Sequence, residues 1–233
     1  LDQVHVSVLK QGISSEFLGY DMVRIPEARI ITLIKNDTMV DEIRAGETGE
    51  AFFDQTPFYA ESGGQVEDEG TVDWTGGTAR VTAAKKIKED LFSHTIVVEK
   101  GILKKNQVVD LSINTERRKS IARNHTATHL LQYALRQILG DHVKQSGSLV
   151  DKDRLRFDFT HFQAMDESEV ARVEDIVNEK IMEGIDVCTQ KKSREEAMRE
   201  GATALFEEKY GDEVRVVSIS DFSAELCGGT HVR

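Results

Sequence analysis

Proline, cysteine and long apolar segments are all scarce in this sequence. Two of its 233 residues are proline and two are cysteine. No apolar run approaches the roughly 20 residues that a membrane-spanning helix needs, so we expect no membrane partner. A basic start followed by an apolar segment is also missing, so we expect no signal peptide. The remaining composition, 39% hydrophobic and 30% charged, is that of a globular protein.

Positive charge is in the minority. The net charge of −11 disfavours broad, nonspecific binding of nucleic acid by the whole surface. Between Thr115 and Phe157, however, nine basic residues outnumber four acidic ones. This local excess is either an ordinary solvated face or a local phosphate contact, and both interpretations stay open. The nine are Arg117, Arg118, Lys119, Arg123, Arg136, Lys144, Lys152, Arg154 and Arg156.

The residue pattern changes near Asn114. From about Gly19, short runs rich in Val, Ile, Thr and Phe and bounded by Gly, Asp and Asn predict closely spaced strands, as in a small barrel or sandwich. We divide the chain into a tail of a preceding segment (1–18), a β-barrel domain (19–113) and a second domain (114–233). The predicted strands of the barrel domain are Ala28–Lys35, Gly49–Asp54, Gly64–Asp73, Ala79–Lys85, Leu91–Val98 and Gln107–Ile113.

The second domain mixes helices and strands, so the fold class is α+β. One helix is predicted from a cap at Asn114 or Thr115 to Leu139, with Gly140 as its stop. Another begins among acidic residues at Asp166 and ends at Met182. The other predicted elements are strands at Val143–Val150, Arg154–Thr160, Val187–Lys191 and Val214–Ser220, and a short helix at Ser193–Glu200.

Two short motifs, about a hundred residues apart, indicate a metal site. His125 and His129 are four residues apart, so they project from one face of the predicted helix. Cys227 and His231 repeat that spacing. Three imidazoles and one thiolate suit Zn²⁺ in tetrahedral coordination. The alternative is a pair of core histidines and an unrelated buried cysteine.

The pattern is not that of the zinc proteases. Thr126 and Ala127 follow His125, where the motif His-Glu-x-x-His needs a glutamate base.

Once a metal binds Cys227, Cys188 has no partner for a disulfide, which indicates a reducing, cytoplasmic location. Cys188 itself is interpreted as a buried cysteine of a strand.

The loop Thr56–Gln65 is the other informative stretch. Gly63 and Gly64 allow a close approach of the backbone or a positive φ. Side chains such as Thr56 and Ser62, with free N–H groups, are suited to fixing a small polar ligand. The alternative is a plain turn between strands. Neither a P-loop motif nor a dinucleotide-binding motif is present, so no nucleotide site is indicated.

Three motifs together resemble the editing region of alanyl-tRNA synthetases, and free-standing alanyl-tRNA editing proteins share the metal and loop motifs. The resemblance covers roughly Phe17 to His231. The motifs that carry it are Thr56–Gln65, Arg123–Leu131 and Glu225–His231, supported by Gln145–Val150, Leu155–Phe159 and Leu205–Gly211.

This resemblance implies a small β-barrel followed by an α/β editing domain with a zinc-binding cleft. It implies hydrolysis of tRNA(Ala) whose acceptor end carries serine or glycine. It also implies a longer parent ligase of protein biosynthesis, with an ATP-binding aminoacylation domain upstream and further segments downstream. The start at Leu1 and the end at Arg233, directly after the second metal motif, fit a piece of such a protein.

The chemistry explains why such a site is needed. A pocket that admits alanine cannot exclude the smaller glycine, and it rejects the extra hydroxyl of serine only about a hundredfold in a comparable case. The editing site must therefore recognise the hydroxyl, for which Thr56 is the candidate. Gln65 and the N–H groups near Gly63 and Gly64 are candidates for holding water or the oxyanion, and Cys227 for catalysis through the metal.

Four protein ligands would close the zinc site and give it a structural or substrate-orienting role. The alternative function is accordingly a non-catalytic, zinc-stabilised module that binds tRNA.

Overall fold

The computed structural model describes residues 2–88, 90–203 and 212–233. The chain forms two compact units. The first comprises Leu1–Ser62 and Val66–Arg118, and the second comprises Gly63–Gln65 and Lys119–Arg233. The motif Leu205–Gly211, which supported the resemblance, lies outside the described residues.

Four helices and sixteen strands make up the described residues. In chain order they are α1 (Gln3–Lys10), β1 (Glu16–Phe17), β2 (Arg24–Lys35), β3 (Thr38–Val40), β4 (Glu42–Arg44), β5 (Thr48–Phe53), β6 (Gln55–Thr56), β7 (Gly70–Trp74), β8 (Gly77–Lys88), β9 (Leu91–Lys100), β10 (Ile102–Lys104), β11 (Val108–Ile113), α2 (Thr115–Leu139), β12 (Gln145–Val150), β13 (Leu155–Phe159), α3 (Glu167–Met182), β14 (Val187–Ser193), α4 (Arg194–Arg199), β15 (Glu213–Ile219) and β16 (Ser223–Leu226).

A closed antiparallel barrel forms the first unit, which confirms the predicted barrel. Six strands pair in the order β11-β7-β8-β9-β5-β2, and β11 pairs again with β2 to close the ring. Closure leaves no unpaired edge among these six strands, and alternate side chains fill the interior. The fully buried side chains include Ile25, Ile30, Leu33, Phe53, Phe58, Val72, Val81, Ile96, Leu103 and Leu111.

The first ten residues, where the sequence carries weak signals, contain helix α1. Its buried residues Val4 and Val8 pack with Ile34, Phe52 and Leu91 of the barrel strands. These apolar contacts explain why an eight-residue segment, too short to be stable alone, is helical here.

One predicted strand was wrong at its start. The sequence predicted a strand over Gly64–Asp73, but regular pairing begins only at Gly70. The preceding residues form a turn, in which Gly63 and Gly64 have φ values of +60° and +86°. Only glycine adopts this region readily, so the backbone cannot continue an extended strand through it.

Helix α2 begins and ends where the sequence predicted. Asn114 Oδ1 accepts a hydrogen bond from the Arg117 N–H at 3.1 Å, which caps the first turn. At the other end Gly140 has φ +113° and its N–H bonds to the Arg136 carbonyl. Of the apolar residues Ile121, Leu131, Leu135 and Ile138 on this helix, Ile121 and Leu135 are buried, and Leu131 and Ile138 are partly buried.

The second unit combines a three-stranded antiparallel sheet, β14-β15-β16, with a hairpin formed by β12 and β13. Helix α3 begins with a capping box between Asp166 and Glu169. The sequence did not predict β16, whose four residues are too few to show a clear alternation. A second apolar core joins α2, α3 and the hairpin, and includes Ala134, Leu135, Val143, Val173, Phe157 and Phe159.

The prediction that Cys188 is buried was wrong. Strand β14 lies at an edge of its sheet, and Cys188 is exposed on it. A run of exposed residues follows along the strand, so the β-type composition of this segment reflects pairing with β15 and not burial. None of the helices in residues 2–88, 90–203 and 212–233 combines the length and apolar character that a membrane-spanning helix requires.

The basic excess between Thr115 and Phe157 is largely paired within each unit. Arg118 is buried against the Asp68 carboxylate and also donates to the Pro57 carbonyl. Arg117 lies 3.3 Å from Glu69. In the second unit, Arg136, Lys152 and Arg156 pair with Asp141, Asp153 and Asp158. Five of the nine cations therefore have carboxylate partners. The solvated-face interpretation is favoured for the solvent-accessible Arg136, Lys152 and Arg156, whereas Arg118 forms a buried ion pair within the first unit.

Candidate metal centre

Helix α2 positions the first two candidate ligands. His125 and His129 are one turn apart and almost fully buried, at 6% and 2% exposure. Their ring centroids are 5.9 Å apart. Because both sit on a 25-residue helix, their backbone positions are fixed by the helix itself.

The other two candidates follow strand β16. The Cys227 N–H bonds to the Arg215 carbonyl on β15 at 3.0 Å. In return, the Arg215 guanidinium donates to the carbonyls of Cys227 (3.0 Å) and Gly229 (2.7 Å). These bonds fix the short loop that carries Cys227 and His231 beside helix α2.

Gly229 makes that close approach possible. A Cβ atom at this position would lie 1.9 Å from Cε1 of His125 and 2.9 Å from Oε1 of Gln65. No other residue fits without moving the histidine, so the glycine is required by the ligand arrangement itself.

The four donor atoms converge. The ligand atoms of His125, His129, Cys227 and His231 all lie within 4.8 Å of one another, the one such cluster of His, Cys, Asp or Glu among the described residues. Cys227 Sγ is 3.5 Å from His125 Nε2 and 3.2 Å from His231 Nε2. Tetrahedral zinc with ordinary Zn–S and Zn–N bonds requires an S–N separation of about 3.6 Å. The predicted ligands therefore come together as a cluster that can hold a metal ion, and its chemistry and spacing fit zinc.

Each imidazole also has an oxygen near its other nitrogen. His125 Nδ1 is 2.6 Å from Gln65 Oε1, and His231 Nδ1 is 3.1 Å from Thr126 Oγ1. His129 Nδ1 is 3.3 Å from a carboxylate oxygen of Glu225, but without the geometry of a hydrogen bond. Oxygen partners of this kind fix the tautomer and the ring orientation of metal-binding histidines. The cluster therefore has the surroundings of a metal site as well as its ligands.

Three residues around the cluster, Thr126, Glu225 and Arg215, were not predicted as site residues from the sequence. Thr126 follows the first ligand directly, and Glu225 precedes Cys227 by two positions, so both stand inside the quoted motifs. Arg215 lies outside the motifs, and its role depends on the pairing of β15 with β16. Proximity to a ligand in sequence was the only signal available for the first two.

Burial sets the protonation state of the cluster. It lowers the pKa of His125 to about 3 and that of His129 to about 4, and it lowers the pKa of His231 as well. All three rings are then neutral at pH 7, the form that binds metal. Burial acts oppositely on the acidic groups: it raises the pKa of the Cys227 thiol to about 11 and that of Glu225 to about 7.

Gln65 is the part of the glycine-containing loop that reaches the cluster. Its side chain is 1% exposed. Oε1 accepts from the Thr230 N–H at 2.8 Å in addition to its contact with His125, and Nε2 donates to Thr230 Oγ1 at 2.9 Å. Gly64 supports this position: its carbonyl accepts from Val150 N–H, and a Cβ there would lie 2.4 Å from the Ser148 carbonyl oxygen.

Thr56 and Ser62 belong to the first unit. Thr56 is fully buried, and its hydroxyl lies 2.7 Å from His94 Nε2 and accepts from the Phe58 N–H at 3.1 Å. His94 is neutral, because burial lowers its pKa to about 4. Ser62 is exposed, and its carbonyl accepts from the Tyr59 hydroxyl.

Two protein-family models match the chain. Residues 2–117 match the family described as "tRNA synthetases class II (A)". Residues 214–233, which include Cys227 and His231, match the "Threonyl and Alanyl tRNA synthetase second additional domain". Both matching families are families of tRNA synthetases.

Similar individual proteins specify the family further. The chain is 51% identical over 226 residues to the alanine–tRNA ligase of Acetivibrio thermocellus, which covers 97% of the chain. It is 50% identical over 231 residues to the alanine–tRNA ligase of Bacillus cytotoxicus, an alignment that covers 99% of the chain. It is 48% identical over 229 residues to that of Thermotoga maritima, an alignment that covers 98% of the chain. The chain belongs to the alanyl-tRNA synthetase family. It spans 26% of the length of each of these relatives.

We expect the purified chain to bind one zinc ion, because four donors of suitable softness converge in it. Cys227→Ala should weaken that binding strongly. The matched control is Cys188→Ala, which removes the exposed cysteine of β14 and should leave metal content unchanged. Elemental analysis after metal-replete expression measures both. Folded wild-type protein without zinc, or equal loss in the two variants, would contradict the site.

Zinc binding should release about one proton per ion at pH 8. The raised pKa of Cys227 keeps the free thiol protonated at that pH, whereas the bound form is a thiolate. The lowered pKa values of the histidines mean that they release none, and Glu225 is mostly ionised there. The affinity for zinc should fall about tenfold for each pH unit between pH 8 and pH 5, because the concentration of protons that compete with zinc for the thiolate rises tenfold per unit. Calorimetry in buffers of different ionisation enthalpy counts the protons; release of none would remove Cys227 as a thiolate ligand.

Proposed function

We propose that this chain hydrolyses the ester bond of tRNA(Ala) carrying serine or glycine, as the editing part of a longer alanyl-tRNA synthetase. The observation that carries the proposal is the cluster of His125, His129, Cys227 and His231, whose second half lies in the segment matching the threonyl and alanyl additional domain. An editing reaction is needed because alanine lies between glycine and serine in size, so one binding pocket cannot reject both.

A bound zinc ion would supply positive charge that polarises the ester or lowers the pKa of a water. The side chains of this chain would then orient the ligands and the substrate. In this proposal, the amide of Gln65 holds His125, the Glu225 carboxylate holds His129, and Thr126 holds His231. Gln65 is thus a positioning residue, while the backbone at Gly63 and Gly64 offers N–H groups to water or to the oxyanion.

The partner in this proposal is the acceptor end of tRNA(Ala) bearing the wrong amino acid. Aminoacylation, with its ATP site, would belong to parts of the longer relatives that this chain does not span. A second candidate function, a zinc-stabilised module that binds tRNA without catalysis, is favoured by one observation. The cluster offers four protein donors, and four ligands would fill a tetrahedral zinc.

A deacylation assay separates the two functions. The chain should hydrolyse seryl-tRNA(Ala) and glycyl-tRNA(Ala) and leave alanyl-tRNA(Ala) largely intact. Loss of a group that orients a metal ligand lowers activity about 10–100-fold. Cys227→Ala, which removes a ligand itself, should lower the hydrolysis rate at least that much, whereas Cys188→Ala should leave the rate unchanged. Binding of tRNA without hydrolysis by the zinc-loaded wild-type chain would favour the non-catalytic module.

The two polar residues of the loop should behave differently on substitution. Gln65→Ala removes the hydrogen bonds to His125 and Thr230, so it should slow seryl and glycyl esters together, by about 10–100-fold. Thr56→Val leaves the buried His94 nitrogen without its partner and should lower the free energy of unfolding by about 1–3 kcal/mol. Single-turnover deacylation and thermal unfolding of both variants give the measurements.

Selectivity is the decisive readout for Thr56. If its hydroxyl meets the serine side chain, Thr56→Val slows the seryl ester about two- to thirteenfold, from a net 0.5–1.5 kcal/mol, and leaves the alanyl ester unchanged or faster. Equal slowing of all three esters would assign Thr56 to the support of the loop. Unequal slowing of seryl and glycyl esters by Gln65→Ala would contradict the positioning role of Gln65.

A further inference from the structure

Two loops of the second unit bring together an aromatic cluster that the candidate metal centre does not use. His142 lies between α2 and β12, and His161 and Phe162 lie between β13 and α3. The loops are joined at their bases, where the Thr160 N–H bonds to the Lys144 carbonyl at 3.0 Å and the Thr160 hydroxyl donates to the His142 carbonyl at 3.3 Å. The cluster therefore continues the hairpin of β12 and β13 beyond its last paired residues.

The two imidazoles of this cluster form one flat layer. His142 Nε2 is 2.8 Å from His161 Nδ1, so the rings share a hydrogen bond and meet edge to edge. Their planes differ by only 19°. A Cβ atom at Gly140 would lie 3.1 Å from His142 Nδ1, so the pair packs directly against the end of helix α2. Both contacts fix the orientation of the layer relative to that helix.

Phe162 covers the imidazole layer and leaves its own outer face to solvent. Its ring centroid is 4.1 Å from that of His142, with planes 22° apart, and 5.3 Å from that of His161. Even so, 83% of Phe162 is exposed, and within residues 2–88, 90–203 and 212–233 it is the one aromatic residue among the exposed large hydrophobic ones. Exposure forgoes the favourable burial of apolar surface, so a ring held flat at the surface indicates a partner that stacks on it.

The imidazole pair is not a second metal site. Two nitrogens bound to one tetrahedral zinc ion at ordinary bond lengths would be about 3.4 Å apart. Those of His142 and His161 are 2.8 Å apart, the distance of a hydrogen bond. Across the described part of the chain, the one converging group of His, Cys, Asp and Glu ligand atoms is the cluster on α2 and the C-terminal loop. The two histidines therefore support Phe162.

The surroundings of Phe162 favour a nucleobase over an apolar protein surface. Four nearby residues are polar and exposed: Asp141, Lys144, Thr160 and Gln163. The core of a protein–protein interface is depleted of charged residues, whereas RNA-binding proteins stack unpaired bases on aromatic rings beside cations. Asp141 pairs with Arg136 at 3.1 Å, and Lys144 is not among the cations that pair with carboxylates within the described residues. Its positive charge is therefore suited to a phosphate.

The position of the stack along α2 limits which base it can contact. His129 precedes the last residue of the helix, Leu139, by ten residues, so the stack lies about 15 Å along the axis from the metal centre at about 1.5 Å per residue. This distance is several times the rise of about 3.4 Å between stacked nucleotides. A base on Phe162 therefore belongs to a nucleotide upstream of the one that carries the ester.

We propose that Phe162, held on the pair of His142 and His161, is a stacking platform for an unpaired base of the tRNA acceptor end, upstream of the nucleotide that carries the amino acid. The inference rests on the proposed editing function and extends it, because it gives the second unit an RNA contact away from the metal centre. Lys144 would neutralise a phosphate beside the platform. Every base has a π face, so the platform should accept any base at this position.

Binding of an uncharged acceptor-stem minihelix of tRNA(Ala), measured by fluorescence anisotropy, tests the platform. Phe162→Ala should weaken binding about 5–140-fold, which corresponds to one base–aromatic stack of about 1–3 kcal/mol at about 1.4 kcal/mol per tenfold. Phe162→Trp should keep the wild-type affinity. Phe162→Leu keeps apolar surface without a π face and should lose nearly as much as Phe162→Ala.

The matched control is Met182→Ala, which removes another strongly exposed apolar side chain of the second unit (84% exposed) and should leave minihelix binding unchanged. Circular dichroism of each variant excludes misfolding as the cause of a loss. Wild-type affinity of Phe162→Ala would overturn the proposal. Wild-type affinity of Phe162→Leu would also overturn it, because an apolar contact such as a protein partner provides would then suffice.

Abasic nucleotides in the minihelix locate the contact. One abasic position upstream of the terminal nucleotide should weaken binding to the wild-type chain by the same factor as Phe162→Ala. The same abasic position should cause no further loss in the Phe162→Ala variant, because the two changes remove one shared contact. Additive losses at every position would contradict a stack between this ring and an RNA base.

The outcome is separable from that of the deacylation assay. Minihelix binding that depends on Phe162, by a chain that fails to hydrolyse seryl-tRNA(Ala), would support the platform and contradict the editing function. Hydrolysis of seryl-tRNA(Ala) by Phe162→Ala with the wild-type KM, together with unchanged minihelix affinity, would contradict the platform alone.

Discussion

The hydrogen bonds of the Gln65 side chain hold the candidate metal centre together. One amide joins the glycine-containing loop to His125 on helix α2 and to Thr230 on the C-terminal loop, through contacts of 2.6–2.9 Å. Because the amide is buried, water does not compete for these bonds, and loss of one would leave a buried donor unpaired. Three segments that are far apart in the chain therefore keep one arrangement around the four donors.

Close backbone approach is the second requirement of this arrangement. Gly229 leaves room for the ring of His125, and Gly64 leaves room for the Ser148 carbonyl. Arg215 then fixes the C-terminal loop from the neighbouring strand. Gly64 and Gly229 are accordingly explained by the space needed around the loop and the ligands, and the phosphate-binding role often given to glycine-rich loops is not needed here.

Burial of the cluster also sets the protonation states of its side chains. Neutral imidazoles result from lowered pKa values, while the thiol of Cys227 keeps its proton until a metal replaces it. Glu225 connects this centre to a cavity in the second unit, because its carboxyl lies beside His129 and also lines the cavity wall.

The sequence by itself determined the features that depend on local periodicity and on residue chemistry. The barrel strands, the limits of helix α2 and the pairing of His125 with His129 follow from spacing within one element, and the ligand types follow from the softness of nitrogen and sulfur donors. Only the tertiary structure decided which oxygens surround the ligands, that Thr56 is bonded to His94, and that Cys188 is exposed. These contacts span 38 to 165 positions or depend on which strand lies at a sheet edge, and packing between distant segments, which leaves no periodic signal in the sequence, sets them.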